Sequence, residues 1–323
     1  MQALDEDEPG QGLGQQHEEV LAVQPLAAQV SGRVGGHPWG GVDWQASSMH
    51  DFSWAQAAGQ AREEAHRTCT VLLVRGLFGA WIPGHFAVPL QRLRREGWTV
   101  EIARTEASGT VARNIALLAQ TATRLAAAGR RLVFLAHSKG GLEVLLMLAA
   151  RPDLAAETAG LVTVQTARAG APYLESLFSR VHPPAPGAGA RLAEVFEAAA
   201  LSAAGARPAC AELNTARVQA WVAQIDAARF AFPWLAVATH AGRATWSLEM
   251  KHRRLSQIAP GQPHDGVFYT QHQRWPQAQN LLVPGVDHAQ PSTGANDFAH
   301  GHFWSALLGG VLAAPAAASV AAA

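Results

Sequence analysis

The run Val71-Leu72-Leu73-Val74 is the strongest constraint on what this chain can fold into. It is apolar at every position and carries a β-branched residue at each end. A strand with one face in water would alternate apolar with polar. A run with no polar position must be covered on both faces, as strands of a parallel sheet are. Leu132-Val133-Phe134-Leu135 repeats the pattern, and further strands are predicted at residues 98–102, 160–165, 234–238 and 280–283. Helix candidates fall between them: around residues 90–95, from Thr110 with Ile115, Leu118 and Leu125 on one face, over 141–150, and around 298–312. Strands alternating with helices at this spacing imply right-handed crossovers and an α/β fold with a mostly parallel central sheet flanked by helices.

The alternation breaks after Gln165. A Pro/Gly/Ala stretch over residues 183–190 leads to two amphipathic helix candidates, one carrying Leu192, Val195, Phe196 and Leu201, the other Val218, Trp221, Val222 and Ile225. An inserted helical cap at about residues 173–230 of a domain spanning 67–312 is the expectation. Residues 1–66 lack periodicity and are expected to form a partly disordered leader, with Trp39, Trp44 and Trp54 in its later part lying against the domain; residues 313–323 form an Ala-rich tail.

Composition narrows the function classes. With 49% hydrophobic and 15% charged residues in 323, the chain can bury a sizeable core. Lys+Arg and Asp+Glu balance at 25 each, so the field that concentrates nucleic acid is missing, and no nucleic-acid partner is expected. The acidic, Gly/Gln-rich start does not resemble a secretory signal, and no apolar stretch reaches bilayer length, so a cytoplasmic location is expected. Cys69 and Cys210 leave their pairing open.

The chemistry is expected at Ala136-His137-Ser138-Lys139-Gly140, where an apolar strand runs directly into an apolar helix. Small residues flanking a serine let neighbouring backbone approach a sharp strand-to-helix turn, and the helix N-terminus places partial positive charge beside the hydroxyl. Ser138 is therefore the candidate nucleophile. With this segment the chain resembles the α/β-hydrolase superfamily, and is most similar to its bacterial triacylglycerol lipases and esterases, some of which have an Ala-first elbow. The likeness covers roughly residues 70–312 in layout and implies the α/β-hydrolase fold.

In that family the acid and the histidine follow the serine in that order. Gly261-Gln262-Pro263-His264-Asp265-Gly266-Val267 resembles the loop that carries the acid, which makes Asp265 the matching residue. Asp287-His288-Ala289, just beyond the last strand, resembles the histidine loop and makes His288 the base, with His300 and His302 as rivals and Asp287 expected to point away. Val74-Arg75-Gly76-Leu77-Phe78-Gly79 resembles the family's His-Gly loop with Arg75 in place of the histidine, implying backbone oxyanion donors at Leu77 and Lys139. Leu77, Phe78, Trp81, Phe86 and the inserted helices are candidate walls of an apolar acyl site. Gln290 stands where some of these lipases have a calcium-binding aspartate, so no metal is expected, and no cofactor either.

The resemblance implies an esterase or lipase that cleaves carboxylic esters through an acyl-enzyme on Ser138, with a small-molecule or lipid ester as substrate. Exposed apolar faces of the cap would suit either closure over a substrate or transient contact with a lipid surface, and no obligate protein partner is expected. Two alternatives stay open at this point: an acyltransferase or thioesterase using the same serine, and a non-catalytic binding module on a hydrolase scaffold.

Overall fold

The computed structural model describes residues 64–178, 188–228 and 230–314. The expected leader with its tryptophans lies almost wholly outside these residues, as do most of the Pro/Gly/Ala stretch and of the Ala-rich tail.

Six strands form one sheet: β1 (Cys69–Val74), β2 (Val100–Ile102), β3 (Arg131–His137), β4 (Thr158–Val164), β5 (Trp234–His240) and β6 (Gln279–Pro284). The order is β2-β1-β3-β4-β5-β6, and every neighbouring pair is parallel. The apolar runs account for this directly. All six residues of β1 are buried, and in β3 only Arg131 at the edge is exposed. The helices that cover the sheet are α1 (Ala87–Arg95), α2 (Val111–Ala127), α3 (Lys139–Ala150) and α9 (His300–Ala313). Leu72, Val74, Leu132, Phe134 and Ala136 join one buried cluster with Leu118, Leu125 and Leu145 of α2 and α3. The alternate residues Val71, Leu73, Val133 and Leu135 are equally buried but lie outside that cluster. This two-residue alternation is how one strand serves two layers.

The chain leaves β1 for β2 on one side and returns to β3 on the other, so the order of strands reverses between β1 and β3. Ligands of open parallel sheets bind in the crevice that such a reversal leaves at the carboxyl ends of the strands. Residues 75–79 and Ser138 both occupy that end.

Between β4 and β5 the chain inserts α4 (Pro172–Phe178), α5 (Ala188–Ala203), α6 (Arg207–Ala211) and α7 (Thr215–Ala227); α8 (Glu249–Ile258) follows β5. Val218, Val222 and Ile225 of α7 are buried, as their spacing predicts. In α5 three of the four expected apolar residues are turned outward, Leu192, Val195 and Phe196 being 57%, 63% and 66% exposed, while Leu201 packs half-buried against the core with Ala198. The opposite face meets α8 and α4 through polar groups. Glu194 pairs with Arg254 at 3.2 Å and Glu197 with Lys251 at 3.1 Å, and Tyr173 donates its hydroxyl proton to Glu197. Spacing identifies an amphipathic helix without saying which face docks, and here the docked face is the one that combines Ala198 and Leu201 with the ion pairs.

Cys69 and Cys210 are both free and buried. No described helix is long and apolar enough to cross a membrane.

Candidate active site

Ser138 lies between the end of β3 and the start of α3 with φ 56° and ψ −129°, a conformation costly for a side-chain-bearing residue and tolerated where surrounding contacts over-determine it. Its N–H donates to Val164 O at 2.9 Å, and its own carbonyl accepts from Gly141 N and from the Thr166 hydroxyl, both at 3.0 Å. Two glycines allow the close approach of the loop after β1. A Cβ on Gly76 would lie 2.8 Å from Ser138 Cβ, and one on Gly140 would lie 2.4 Å from Arg75 O. Position 76 in the loop and position 140 in the helix must therefore stay bare.

His288 follows β6 and Asp265 sits in the long connection between β5 and β6. Asp265 Oδ2 accepts from His288 Nδ1 at 2.9 Å, and His288 Nε2 accepts from Ser138 Oγ at 3.0 Å. The tautomer follows from the carboxylate, which can only accept, so the ring proton sits on Nδ1 and Nε2 is free to take one. Asp265 is itself fixed and wholly buried. Its Oδ1 accepts from Val267 N at 2.8 Å and Phe268 N at 2.7 Å, its Oδ2 accepts from Gln273 Nε2 at 3.2 Å, and its carbonyl accepts from His288 N at 2.8 Å. Residues 127 positions apart in sequence, Ser138 and Asp265, thus bracket one imidazole.

His300 and His302 do not join this chain of bonds. His300 Nδ1 donates to Phe298 O, and His302 Nε2 lies 3.3 Å from Arg92 Nη1. Asp287 does turn away from the base: its carboxylate accepts from Thr245 N at 2.5 Å, Ala289 N at 2.9 Å and Gln290 N at 3.1 Å, while Gln290 Oε1 accepts from Asp287 N at 2.7 Å. This knot pins the loop on either side of His288. The Gln290 amide is committed to it, and among the described residues no group of His, Cys, Asp and Glu side chains is arranged to hold a metal ion.

Neither Leu77 N nor Lys139 N meets an acceptor among the described residues, whereas the next N–H in the loop, Phe78 N, is taken by Ala107 O at 2.8 Å. A narrow cleft opens beside Ser138, walled by Leu142, Ala167, Gly170, Leu213, Val218 and Phe268. The inserted segment contributes Leu213 and Val218. Of the other expected walls, Phe86 is core, fully buried with its ring 5.2 Å from that of Trp304, and Trp81 stacks on Phe78 at 5.5 Å while half exposed.

Behind His288 lie two further histidines whose roles the sequence did not signal. The His137 ring is 4.8 Å from that of His288 and 5.9 Å from that of His85. Gln165 uses its Nε2 on Thr239 Oγ1 at 2.7 Å and Asp287 O at 2.9 Å, so its Oε1 accepts from His137 Nε2 at 2.8 Å. Burial, reinforced by the neighbouring His288, holds the His137 ring well below the usual histidine range, and burial with Arg75 nearby brings His85 down to about 3. Both rings are neutral near pH 7 and add no charge behind the base. Gln165 is a polar residue at the end of the apolar run of β4, the one signal that could have singled it out, whereas Gln273 closes a polar turn, Thr270–Gln273, and carries no such mark.

No protein-family model matches the sequence, and no curated protein matches it. Solved structures do. The metagenomic carboxyl esterase MGS0156 is 22% identical, superposes with a TM-score of 0.59 and shares 75% of each chain. The mature Bacillus licheniformis lipase BlEst2 is 18% identical over 74% of this chain and 92% of that one, with a TM-score of 0.57. Phospholipase PlaB from Legionella pneumophila is 13% identical over 77% and 60%, with a TM-score of 0.53. At these identities the likeness speaks to architecture, and it identifies the architecture as the α/β-hydrolase fold.

Proposed function

We propose that this chain is a serine hydrolase that cleaves carboxylic esters, with Ser138 as nucleophile, His288 as general base and then acid, and Asp265 as the group that orients the imidazole. The observation that carries this is the unbroken chain of hydrogen bonds from Asp265 through His288 to Ser138, at 2.9 and 3.0 Å, with its outer end buried and its serine beside an apolar cleft. Ser138 Oγ attacks the ester carbonyl carbon as its proton passes to His288 Nε2, and the imidazolium is stabilised by Asp265. The oxyanion receives the N–H groups of Leu77 and Lys139, which are free of other acceptors among the described residues. Collapse expels the alcohol, protonated by His288, and leaves the acyl group on Ser138. Water, deprotonated by the same imidazole, then releases the acid.

The names of structural neighbours, a carboxyl esterase and a lipase, agree with an ester substrate. The outward apolar face of α5 supports transient contact with a lipid surface by the inserted helices, which act as a cap. Purified protein is expected to hydrolyse nitrophenyl esters and to be labelled by a fluorophosphonate at Ser138, with both lost in Ser138→Ala. Wild-type hydrolysis by that variant, or label on another serine, would sink the assignment.

A further inference from the structure

Residues Lys139 to Leu148 of α3 are all buried, yet this helix contains a lysine and a glutamate one turn apart, each side chain 1% exposed. Lys139 Nζ donates to Glu143 Oε1 and, at 2.9 Å, to Gly109 O. Glu143 Oε1 also accepts from Asn114 Nδ2 at 2.9 Å. Asn114 in turn grips the backbone of Glu106 at both ends, its Nδ2 donating to Glu106 O at 3.2 Å and its Oδ1 accepting from Glu106 N at 2.9 Å. Gly109 packs so tightly on this side chain that a Cβ there would lie 2.6 Å from Asn114 Oδ1. The segment so held, residues 106–109, offers Ala107 O to Phe78 N, the residue next to Leu77.

A buried ion pair is a poor source of stability, because desolvating both charges offsets their attraction, and apolar replacement is often neutral. Its geometry here does something else. Lys139 supplies one oxyanion donor from its backbone, while its side chain reaches the segment that anchors the loop supplying the other. We propose that Lys139, Glu143 and Asn114 form a buried polar strut that sets the spacing between the Leu77 and Lys139 N–H groups. In the side-chain sense they are positioning residues, two steps from the reacting atoms. The proposal rests on the assignment of Ser138 and its oxyanion donors made above.

The test uses the full-length protein and two variants. The double variant Lys139→Met with Glu143→Leu replaces the ion pair by apolar groups and leaves no lone buried charge. Asn114→Ala keeps the pair and cuts its link to residues 106–109, and serves alone if the double variant fails to fold. The readouts are kcat and KM for a nitrophenyl ester and inhibition by an alkyl trifluoromethyl ketone, whose adduct with a serine places an oxyanion in the hole. A folded variant is expected to lose kcat about 100-fold with KM unchanged, since a misplacement near 1 Å costs about that much, and ketone affinity is expected to fall by a similar factor. Wild-type kcat and ketone affinity in a folded variant would overturn the proposal, as would a loss in which KM rises and ketone affinity stays. Failure of the underlying assignment looks different: the unmodified protein would resist the ketone and Ser138→Ala would stay active.

Discussion

Substituting Gly140 by alanine perturbs the proposed oxyanion hole from a known direction. The new Cβ would lie 2.4 Å from Arg75 O and 3.0 Å from both Arg75 C and Val74 Cγ1. Non-bonded contacts of a Cβ below 3.0 Å are essentially unknown, so the start of α3 and the end of β1 must separate by about 0.6 Å or more. Neither side can yield by turning a side chain, because the obstacle is a backbone carbonyl in the loop that leads from β1 into Leu77. Overpacking of this kind costs about 1–3 kcal/mol, offset in part by the ~1 kcal/mol that alanine gains over glycine within a helix. The larger effect falls on catalysis. The displacement is applied between the carriers of the two donors, and about 10- to 100-fold in kcat is expected for a shift of this size. Steady-state hydrolysis of a nitrophenyl ester and urea unfolding measure both quantities. Gly309→Ala provides the control: within α9 its Cβ would meet nothing within 4 Å, so kcat should stay and stability should rise by ~0.5–1 kcal/mol. A Gly140→Ala protein with kcat within twofold of the parent and unchanged stability would refute the close-approach reasoning.

Asp265→Asn keeps the acceptor that Val267 N and Phe268 N require, so the new amide NH2 is forced toward His288 and Gln273 Nε2. That flips the imidazole tautomer, and kcat should fall about 10⁴-fold; a loss below tenfold would remove Asp265 from the mechanism. His85 and His137 are held neutral by burial, their folded values lying below the ordinary 6.5. The stability this contributes is fully present above pH 6.5 and is lost as pH falls below it, at about 1.4 kcal/mol per pH unit for each ring, or about 2.8 for the two. Burial also lowers His240, His264, His272 and His300, so urea midpoints measured at pH 7.5, 6 and 5 should drop at least this steeply, and His85→Asn should make the slope shallower; a flat profile would contradict the burial argument.

The strands were legible because full burial leaves a parallel strand no polar positions to spare, and β1 and β3 show that signature without interruption. Thr110 marked the start of α2 for a local reason, its hydroxyl accepting from Arg113 N at 3.3 Å. Ser138 was legible as a junction, and Asp265 and His288 only through likeness to loops at the same places, since fourteen histidines give no reason to prefer one. What the sequence did not disclose depends on direction. The side chain of Lys139 could have pointed to water, but the glutamate four residues on, in a helix otherwise apolar, was a readable sign that it does not. The outward turn of Leu192, Val195 and Phe196 had no such sign, because the partners of Glu194 and Glu197 lie some sixty residues away on α8.

The outward turn of α5 gives the helix two unlike sides. The helix is held by Ala198 and Leu201, packed against the core, by the shielded Glu194–Arg254 pair, with side chains 13% and 3% exposed, and by the Glu197–Lys251 pair. Leu192, Val195 and Phe196 still face solvent, and covering each would contribute ~1.5–3 kcal/mol. The two faces therefore answer to different surroundings. In water the docked face anchors the helix and the hydrocarbon is stranded outside. Against an apolar phase the same three side chains would gain cover while the core-facing side keeps its partners, so the helix presents hydrocarbon outward without having to leave its seat.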